Sequence, residues 1–195
     1  GNVASVFAQP RERFDFESQG IQVGESVSDV TVYTLDGTPR RLSELWEDQP
    51  VLLVTTSLTC PIARQHSPAV EQIAKRFRGR LAVVMVYTVE AHPNGDPSPY
   101  ADGREWLTSQ NQQENILCRQ PRSLEERRQR AEEFEDRLDV SVPILIDGMD
   151  NDAWQALGGG PNMGILIRPD GVVEAKHGWF DDTTMSRSIQ ELLEK

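Results

Sequence analysis

The chain of 195 residues carries 20 basic and 31 acidic side chains, which gives a formal charge of −11. This charge repels nucleic-acid phosphates and anionic membrane surfaces, so it argues against nucleic-acid binding. The length fits one compact domain with a terminal extension, and no apolar run approaches the roughly 20 residues of a membrane-spanning helix. The compartment stays open between the cytoplasm and export after removal of an upstream segment.

The first part of the chain predicts an arm, a hairpin and a central strand. Residues 1–25 show no sustained periodicity and are predicted to form an extended arm before a domain of residues 26–195. Alternation over residues 30–33, followed by an Asp-Gly turn, predicts an N-terminal hairpin and then a helical turn. Residues 51–56 form a continuous apolar and β-branched run, which is typical of a strand covered on both faces.

From Pro61 onward, apolar residues recur every three or four positions and predict an amphipathic helix that stops at Gly79. Its predicted buried face comprises Ile62, His66, Ala69, Val70, Ile73 and Phe77. Later strands are predicted over residues 81–87, 142–147, 165–167 and 172–173, and helices over 124–138, 153–157 and 184–194. A polar stretch over residues 90–113 is too long for an ordinary connection. This order predicts an α/β domain of thioredoxin-like fold, with a mixed central sheet flanked by helices.

Cys60 is the predicted nucleophile, since it ends a buried strand and enters a helix. Unpaired backbone N–H groups and the helix dipole are expected to lower its pKa. Ser57 and Thr59 are expected to donate hydrogen bonds to the sulfur, and Arg64 to supply positive charge. Ala63 excludes a CxxC redox pair. The alternative is a buried cysteine that only packs in the core.

Glu90 and His92 lie just past the second central strand and are the predicted acid–base pair, at the same sheet end as Cys60. An ion pair that only anchors the insertion is the alternative. Cys118 is the one other cysteine, and it either resolves an oxidised Cys60 or packs as a small apolar residue. Neither cysteine lies in a metal-type pair, so no metal site is predicted.

Pro161 follows three glycines and precedes the last hairpin. Thioredoxin folds place a cis-proline at this point beside the reactive sulfur, and Xaa-Pro is the bond type that adopts cis at modest cost. We therefore expect a cis bond at Pro161 that supports the Cys60 site.

Several motifs together resemble the iodothyronine deiodinase family in order and spacing, over roughly residues 45 to 180. They are Ser-Leu-Thr-Cys-Pro at 57–61, Val-Tyr-Thr-Val-Glu-Ala-His at 86–92, Gln-Pro-Arg-Ser-Leu-Glu-Glu-Arg at 120–127 and Ile-Asp-Gly-Met-Asp-Asn at 146–151. The family has a thioredoxin fold with a characteristic insertion, and uses selenocysteine, or cysteine in some members, to remove iodine from thyroid hormones.

The resemblance implies that Cys60 is the nucleophile and that Glu90 and His92 match the family's site residues. It implies a small iodinated substrate, an external thiol or thioredoxin-type reductant in place of a bound cofactor, and a homodimer. Pro121 and Trp179 stand where hormone-binding members carry histidine and arginine. Leu58 and Val142 stand where members carry auxiliary cysteines.

Two other functions remain open from the sequence. One is a peroxiredoxin-like hydroperoxide reductase with Cys60 as the peroxidatic and Cys118 as the resolving cysteine, although Leu53 stands where the peroxiredoxin motif has proline. The other is a redox-inert thioredoxin-fold module that holds a partner through its arm and its long loop.

Overall fold

A seven-stranded mixed sheet lies at the centre of the computed structural model, which describes residues 14–195. The strands are β1 Thr31–Tyr33, β2 Pro39–Arg41, β3 Val51–Thr56, β4 Ala82–Tyr87, β5 Ile144–Asp147, β6 Gly164–Ile167 and β7 Val173–His177. They are arranged in the order β2-β1-β5-β4-β3-β6-β7. The three central strands β5, β4 and β3 are parallel, while every outer pairing is antiparallel. The predicted mixed α/β sheet and N-terminal hairpin are confirmed.

Five α-helices and a 3-10 helix over Leu42–Trp46 accompany the sheet in the described part of the chain. The α-helices are α1 Pro61–Arg76, α2 Ser109–Gln113, α3 Leu124–Leu138, α4 Asp152–Leu157 and α5 Asp182–Leu193. The sequence predicts all of them except α2, which lies inside the long polar insertion and has no apolar periodicity. No helix of residues 14–195 is both long enough and apolar enough to cross a membrane.

Both faces of the sheet are covered, as the apolar run of β3 predicts. Leu52 and Val54 contribute to a cluster that also contains residues of α1, α3 and α5. Val51 and Leu53 point to the opposite face, among residues of the 3-10 helix and α4. All six residues of β3 are buried, so the strand that leads to Cys60 is held from both sides.

The buried face of α1 differs from the predicted one in its first two turns. Ala63 and Ser67 are buried there, whereas Ile62 is 37% exposed and His66 is partly exposed. From Val70 onward, the predicted and observed faces coincide. The first two turns of the helix approach the sheet through small side chains, and the spacing of large apolar residues does not indicate this face.

The predicted arm over residues 1–25 lies partly outside the described residues, which begin at Phe14. Its described part packs on the domain, with Phe16 and Ile21 buried. The backbone N–H of Gly24 donates to the carbonyl of Val173 at 2.9 Å. This part of the chain therefore begins beside Cys60 and then runs along β7 as far as Val173.

Candidate active site

Cys60 is the N-cap of α1, directly after the loop that follows β3. Its Sγ accepts a hydrogen bond from the backbone N–H of Ala63 at 3.4 Å. Pro61 occupies the first helical position, where a missing N–H costs nothing. The predicted placement of the sulfur at a helix N-terminus is thus confirmed.

The predicted lowering of the Cys60 pKa is wrong for this conformation. The side chain is only 2% exposed, and burial raises the pKa of the thiol to about 11. The N–H groups of Ala63 and Ile62 and the charge of Arg64 act in the lowering direction, but they are outweighed. Removal of the thiolate from water is the larger effect, because burial disfavours the charged form. The described conformation therefore holds a protonated thiol at neutral pH.

Aromatic rings cover Cys60. Phe16 and Tyr100 share a buried cluster with Cys60, and their ring centroids lie 5.7 Å apart in an edge-on arrangement. The Tyr100 hydroxyl donates to the carbonyl of Gly159 at 2.9 Å and accepts from Trp154 Nε1 at 3.1 Å. These bonds fix the ring of Tyr100, so the cover is anchored to the loop that precedes β6.

Ser57 and Thr59 do not donate to Sγ as expected, since both hydroxyls serve other partners. Ser57 Oγ accepts from the backbone N–H of Ala91 at 3.3 Å. Thr59 Oγ1 donates to Glu90 Oε2 at 2.7 Å and accepts from the backbone N–H of His92 at 3.0 Å. Both residues therefore tie the loop before Cys60 to the segment that follows β4.

Arg64 contributes positive charge to the Cys60 environment, as predicted, but its guanidinium also orders the neighbouring backbone. Nη1 donates to the carbonyl of Leu58 at 2.6 Å, and Nη2 bonds Glu114 at 2.6 Å and Asn111 at 2.8 Å. The Asn111 amide in turn donates to the carbonyl of Thr59 at 2.8 Å. The long insertion is thereby fixed against the two residues that precede Cys60.

Glu90 is fully buried and surrounded by hydrogen-bond donors. Its carboxyl group accepts from the Tyr87 hydroxyl, from the Thr59 hydroxyl and from the Thr59 backbone N–H at 3.1 Å. Burial raises the pKa of Glu90, although the bonds from Tyr87 and Thr59 act in the opposite direction. A carboxyl with a raised pKa that touches the residue next to Cys60 is well placed to hold or move a proton.

His92 is linked to Glu90 through Thr59, whose hydroxyl stands between the Glu90 carboxyl and the His92 backbone. Its ring Nδ1 lies 3.0 Å from the carbonyl oxygen of Trp106, which requires a proton on Nδ1. Burial lowers the pKa of His92, so the neutral ring is favoured near neutral pH. In that tautomer, Nε2 is free of a proton and is the atom available for proton exchange.

Three residues of this network were missed by the sequence reasoning: Tyr87, Asn111 and Gln120. The Gln120 amide grips the Glu90 backbone from both sides, accepting from its N–H at 2.7 Å and donating to its carbonyl at 3.1 Å. Tyr87 could have been recognised, since it ends β4 three residues before Glu90. Asn111 and Gln120 lie in the long connection between β4 and α3. A single sequence does not indicate how this connection crosses the site.

Cys118 is a free thiol like Cys60, and it lines a cleft of about 500 Å³ together with Leu58, Pro121 and Arg122. It packs against the core cluster that contains β3 and β4 side chains, whereas Cys60 belongs to the aromatic cluster. Burial raises the pKa of Cys118 to about 12. A bond between the two sulfurs is absent from this conformation, and a resolving role for Cys118 stays a prediction.

The cis bond expected at Pro161 is not present, since the peptide bonds of residues 14–195 are all trans. Positive φ angles at Gly158 and Gly159 already turn the chain before the proline. The loop is then held by Thr55, whose hydroxyl donates to the carbonyl of Gly160 at 3.2 Å and accepts from the N–H of Met163 at 2.8 Å. Pro161 is buried in this loop, so any supporting role in the site is through packing.

The pH dependence of Cys60 alkylation checks the buried state directly. We expect iodoacetamide modification to accelerate about tenfold per pH unit between pH 7 and 10, because only the thiolate reacts and the pKa is about 11. Peptide mass spectrometry separates the Cys60 and Cys118 rates. A rate for Cys60 that levels off below pH 8 would show instead that the helix N-terminus outweighs burial.

In the comparison of the chain with sequence families, the model of the iodothyronine deiodinase family aligns with residues 7–193. The comparison with curated proteins finds no match. The family match extends over the insertion and the Cys60, Glu90 and His92 positions, which the resemblance of the motifs had already indicated.

Solved structures of thioredoxin-like proteins are similar in fold. The thioredoxin domain of a thiol-disulfide oxidoreductase from Bacteroides vulgatus has a TM-score of 0.61 at 15% identity, covering 89% of this chain and 99% of that one. The peroxidoxin BcpB of Mycobacterium tuberculosis has a TM-score of 0.57 at 19% identity, with coverages of 89% and 97%. A secreted disulfide oxidoreductase of Mycobacterium tuberculosis has a TM-score of 0.55 at 14% identity, with coverages of 83% and 95%. These similarities confirm the thioredoxin-like fold.

Proposed function

Since the chain belongs to the iodothyronine deiodinase family, we propose that it is a thiol-dependent oxidoreductase in which Cys60 removes iodine from an iodinated aromatic substrate. One observation of the site carries the proposal. The Cys60 sulfur sits on a helix N-terminus, and the preceding residue, Thr59, is bonded to a buried carboxyl group at Glu90. A nucleophile and a proton-holding group are therefore adjacent at one end of the sheet.

The proposed reaction consumes two thiols for each iodine removed. The Cys60 thiolate attacks the iodine, the carbon–iodine bond breaks, and its electron pair stays on carbon, which takes up a proton. An external thiol then attacks the sulfur–iodine bond, releasing iodide and a proton and leaving a mixed disulfide on Cys60. A second thiol frees Cys60 as the thiol reductant becomes a disulfide. The reductant is a small thiol or a thioredoxin-type protein, and no bound cofactor takes part.

Glu90 and His92 manage the protons in this scheme. Burial raises the pKa of Glu90 and so favours its protonated form. Its carboxyl exchanges a proton with the loop that precedes Cys60 through the Thr59 hydroxyl. His92, fixed by its Nδ1 on the Trp106 carbonyl, exchanges a proton through Nε2. Of Glu90 and His92, one supplies the proton that the carbon takes up, and the other accepts the proton that the attacking thiol releases.

The substrate class extends beyond thyroid hormones to other halogenated aromatic compounds. Pro121, at the position of the family's hormone-binding histidine, is buried and has no donor to offer. Trp179, at the position of the arginine, is 38% exposed and packs edge-on against Phe16 at 5.6 Å between ring centroids. Neither residue provides a charge for the amino-acid end of a hormone, so the ring is the recognised part.

Hydroperoxide reduction is the second candidate, favoured by the position of Cys118. This thiol shares a cleft with Leu58, two residues before Cys60. The Cys60 thiolate would attack a peroxide oxygen, the O–O bond would break and the leaving oxygen would take a proton. The resulting sulfenic acid would condense with the Cys118 thiol, releasing water and forming a disulfide that an external dithiol reduces.

Parallel assays separate the candidates. The protein is incubated with excess dithiol and either an iodinated phenol or iodothyronine, to follow iodide, or a hydroperoxide, to follow its loss. We expect iodide release that persists in Cys118→Ser, because that residue has no part in the deiodination scheme. Peroxide loss that requires Cys118, without iodide release, would replace the first proposal by the second. The absence of both reactions would favour a redox-inert binding module.

A further inference from the structure

Residues 14–20, called the strap below, bring aromatic rings from the start of the described chain into the buried cluster that contains Cys60. Phe16 of the strap is buried against Cys60 and Tyr100. Phe14 lies next to Phe16, with its ring centroid 6.3 Å from that of Tyr100 and 5.9 Å from that of Trp106. Cys60 is 2% exposed, so a substrate cannot reach its sulfur in this conformation.

The strap is seated on glycines, which allow its backbone to approach the domain closely. A Cβ at Gly178 would lie 2.5 Å from the nitrogen of Glu17 and 2.6 Å from the carbonyl carbon of Phe16. A Cβ at Gly20 would lie 2.3 Å from the Cα of Gly158. Real Cβ atoms do not approach backbone so closely, so a side chain at either position would lift the strap.

Side chains take part in the hydrogen bonds described between the strap and β7 and the residue after it, unlike the backbone ladder that follows the strap. The Gly178 N–H donates to Glu17 Oε1 at 2.6 Å, and the Lys176 ammonium donates to the Gln19 carbonyl. From Gly24 onward, by contrast, backbone hydrogen bonds pair the chain with β7 and the turn before it. Edge-on ring contacts and side-chain bonds open more readily than backbone ladders. Gly24, the first residue of this ladder, has a φ of +89°.

We propose that the strap is a displaceable cover that keeps Cys60 closed, and that it must lift from Gly178 and Tyr100 before any electrophile reaches the sulfur. Lifting the strap removes Phe14 and Phe16 and leaves an opening walled by Tyr100, Trp106 and Trp179. It also exposes Cys60 to water, so the N–H groups at the start of α1 then have the larger effect on the pKa of the thiol. Movement of the strap would thus control both the access of an electrophile to Cys60 and the reactivity of the Cys60 thiol.

Alkylation of Cys60 by iodoacetamide at pH 8 tests the proposal. Gly178→Ala should accelerate it about tenfold or more, because the alanine Cβ displaces residues 16 and 17 while its backbone, outside the left-handed region, stays unstrained. Phe16→Ala should have the same effect by removing the ring that packs in the buried cluster with Cys60. Gly148→Ala is the matched control, since its Cβ would meet only a Tyr33 ring carbon at an ordinary 3.6 Å.

The Cys118 peptide provides an internal reference in the same samples. A cover acting on Cys60 alone leaves the Cys118 rate unchanged, whereas equal acceleration of both thiols would mean general loosening and would overturn the proposal. Unchanged Cys60 alkylation in Phe16→Ala would also overturn it, even if Gly178→Ala does not fold. Alkylation requires no turnover, so this result stands apart from the success or failure of the deiodination assay.

Discussion

Replacement of Cys60 by serine is expected to reduce formation of deiodinated product by at least about 10³-fold, to the level of the reaction without protein. The hydroxyl of serine is far less nucleophilic than a thiolate and forms no sulfur–iodine bond. Liquid chromatography of the substrate and product in the presence of dithiol measures the loss.

The same variant should remain folded, which makes the loss of activity specific. Serine is a favoured N-cap residue, and its Oγ replaces Sγ as the acceptor for the Ala63 N–H. We therefore expect the free energy of unfolding to change by less than about 1 kcal/mol. Activity that survives Cys60→Ser in a folded protein would exclude Cys60 as the nucleophile.

Replacement of Glu90 by alanine should destabilise the fold by about 3 kcal/mol, since it leaves three buried donors without an acceptor. These donors are the hydroxyls of Tyr87 and Thr59 and the backbone N–H of Thr59. Glu90→Gln keeps an acceptor and the shape, so its cost should be about 1 kcal/mol, while turnover falls about 10²-fold because an amide carries no exchangeable acid proton. Urea unfolding and product assays on both variants measure the two effects.

The pH dependence of stability provides a control for the Glu90 assignment. Because the folded pKa of Glu90 is raised, the group favours folding below its unfolded pKa of about 4.5, and this contribution is lost as the pH rises through the folded value. Glu90→Gln has no such titration, so its free energy of unfolding should increase relative to that of the wild type as the pH rises above 4.5. A constant difference between the two proteins from pH 4 to 8 would contradict a raised pKa.

The parts of the fold that follow from local pattern are predictable from the sequence. The run of apolar β-branched residues in β3 and the switch to helical spacing at Pro61 place Cys60 at a strand-to-helix junction. Parallel pairing of β3 with β4 then brings the residues after both strands to the same edge of the sheet. For this reason, the proximity of Glu90 to the Cys60 loop could be expected before the structure.

Features of the site that depend on competition between alternative contacts of one side chain were not predictable from the sequence. Thr59 has a hydroxyl near Cys60, but the Glu90 carboxyl and the His92 backbone N–H bind it instead of the sulfur. The sign of the Cys60 pKa shift likewise depends on burial in a cluster that includes Phe16, a residue from a segment without periodicity. Contacts of this kind join distant parts of the chain, and a single sequence does not reveal them.

The trans bond at Pro161 and the path of α2 have a similar origin. The loop before β6 is fixed by the hydroxyl and carbonyl of Thr55, a residue whose side chain reads in sequence only as part of a β-branched strand. Asn111 of α2 is buried because it bridges Arg64 and the Thr59 carbonyl. Both features are set by tertiary hydrogen bonds rather than by local preference.

The most direct test of Cys60 as the reducing nucleophile is the amount of deiodinated product formed without any added reductant. Reduced protein is mixed with an excess of iodinated phenol, and product is counted against protein by mass spectrometry. We expect product to stop at about one equivalent per Cys60, with none from Cys60→Ser, and to continue when dithiol is added. Equal product from wild type and Cys60→Ser would contradict the mechanism.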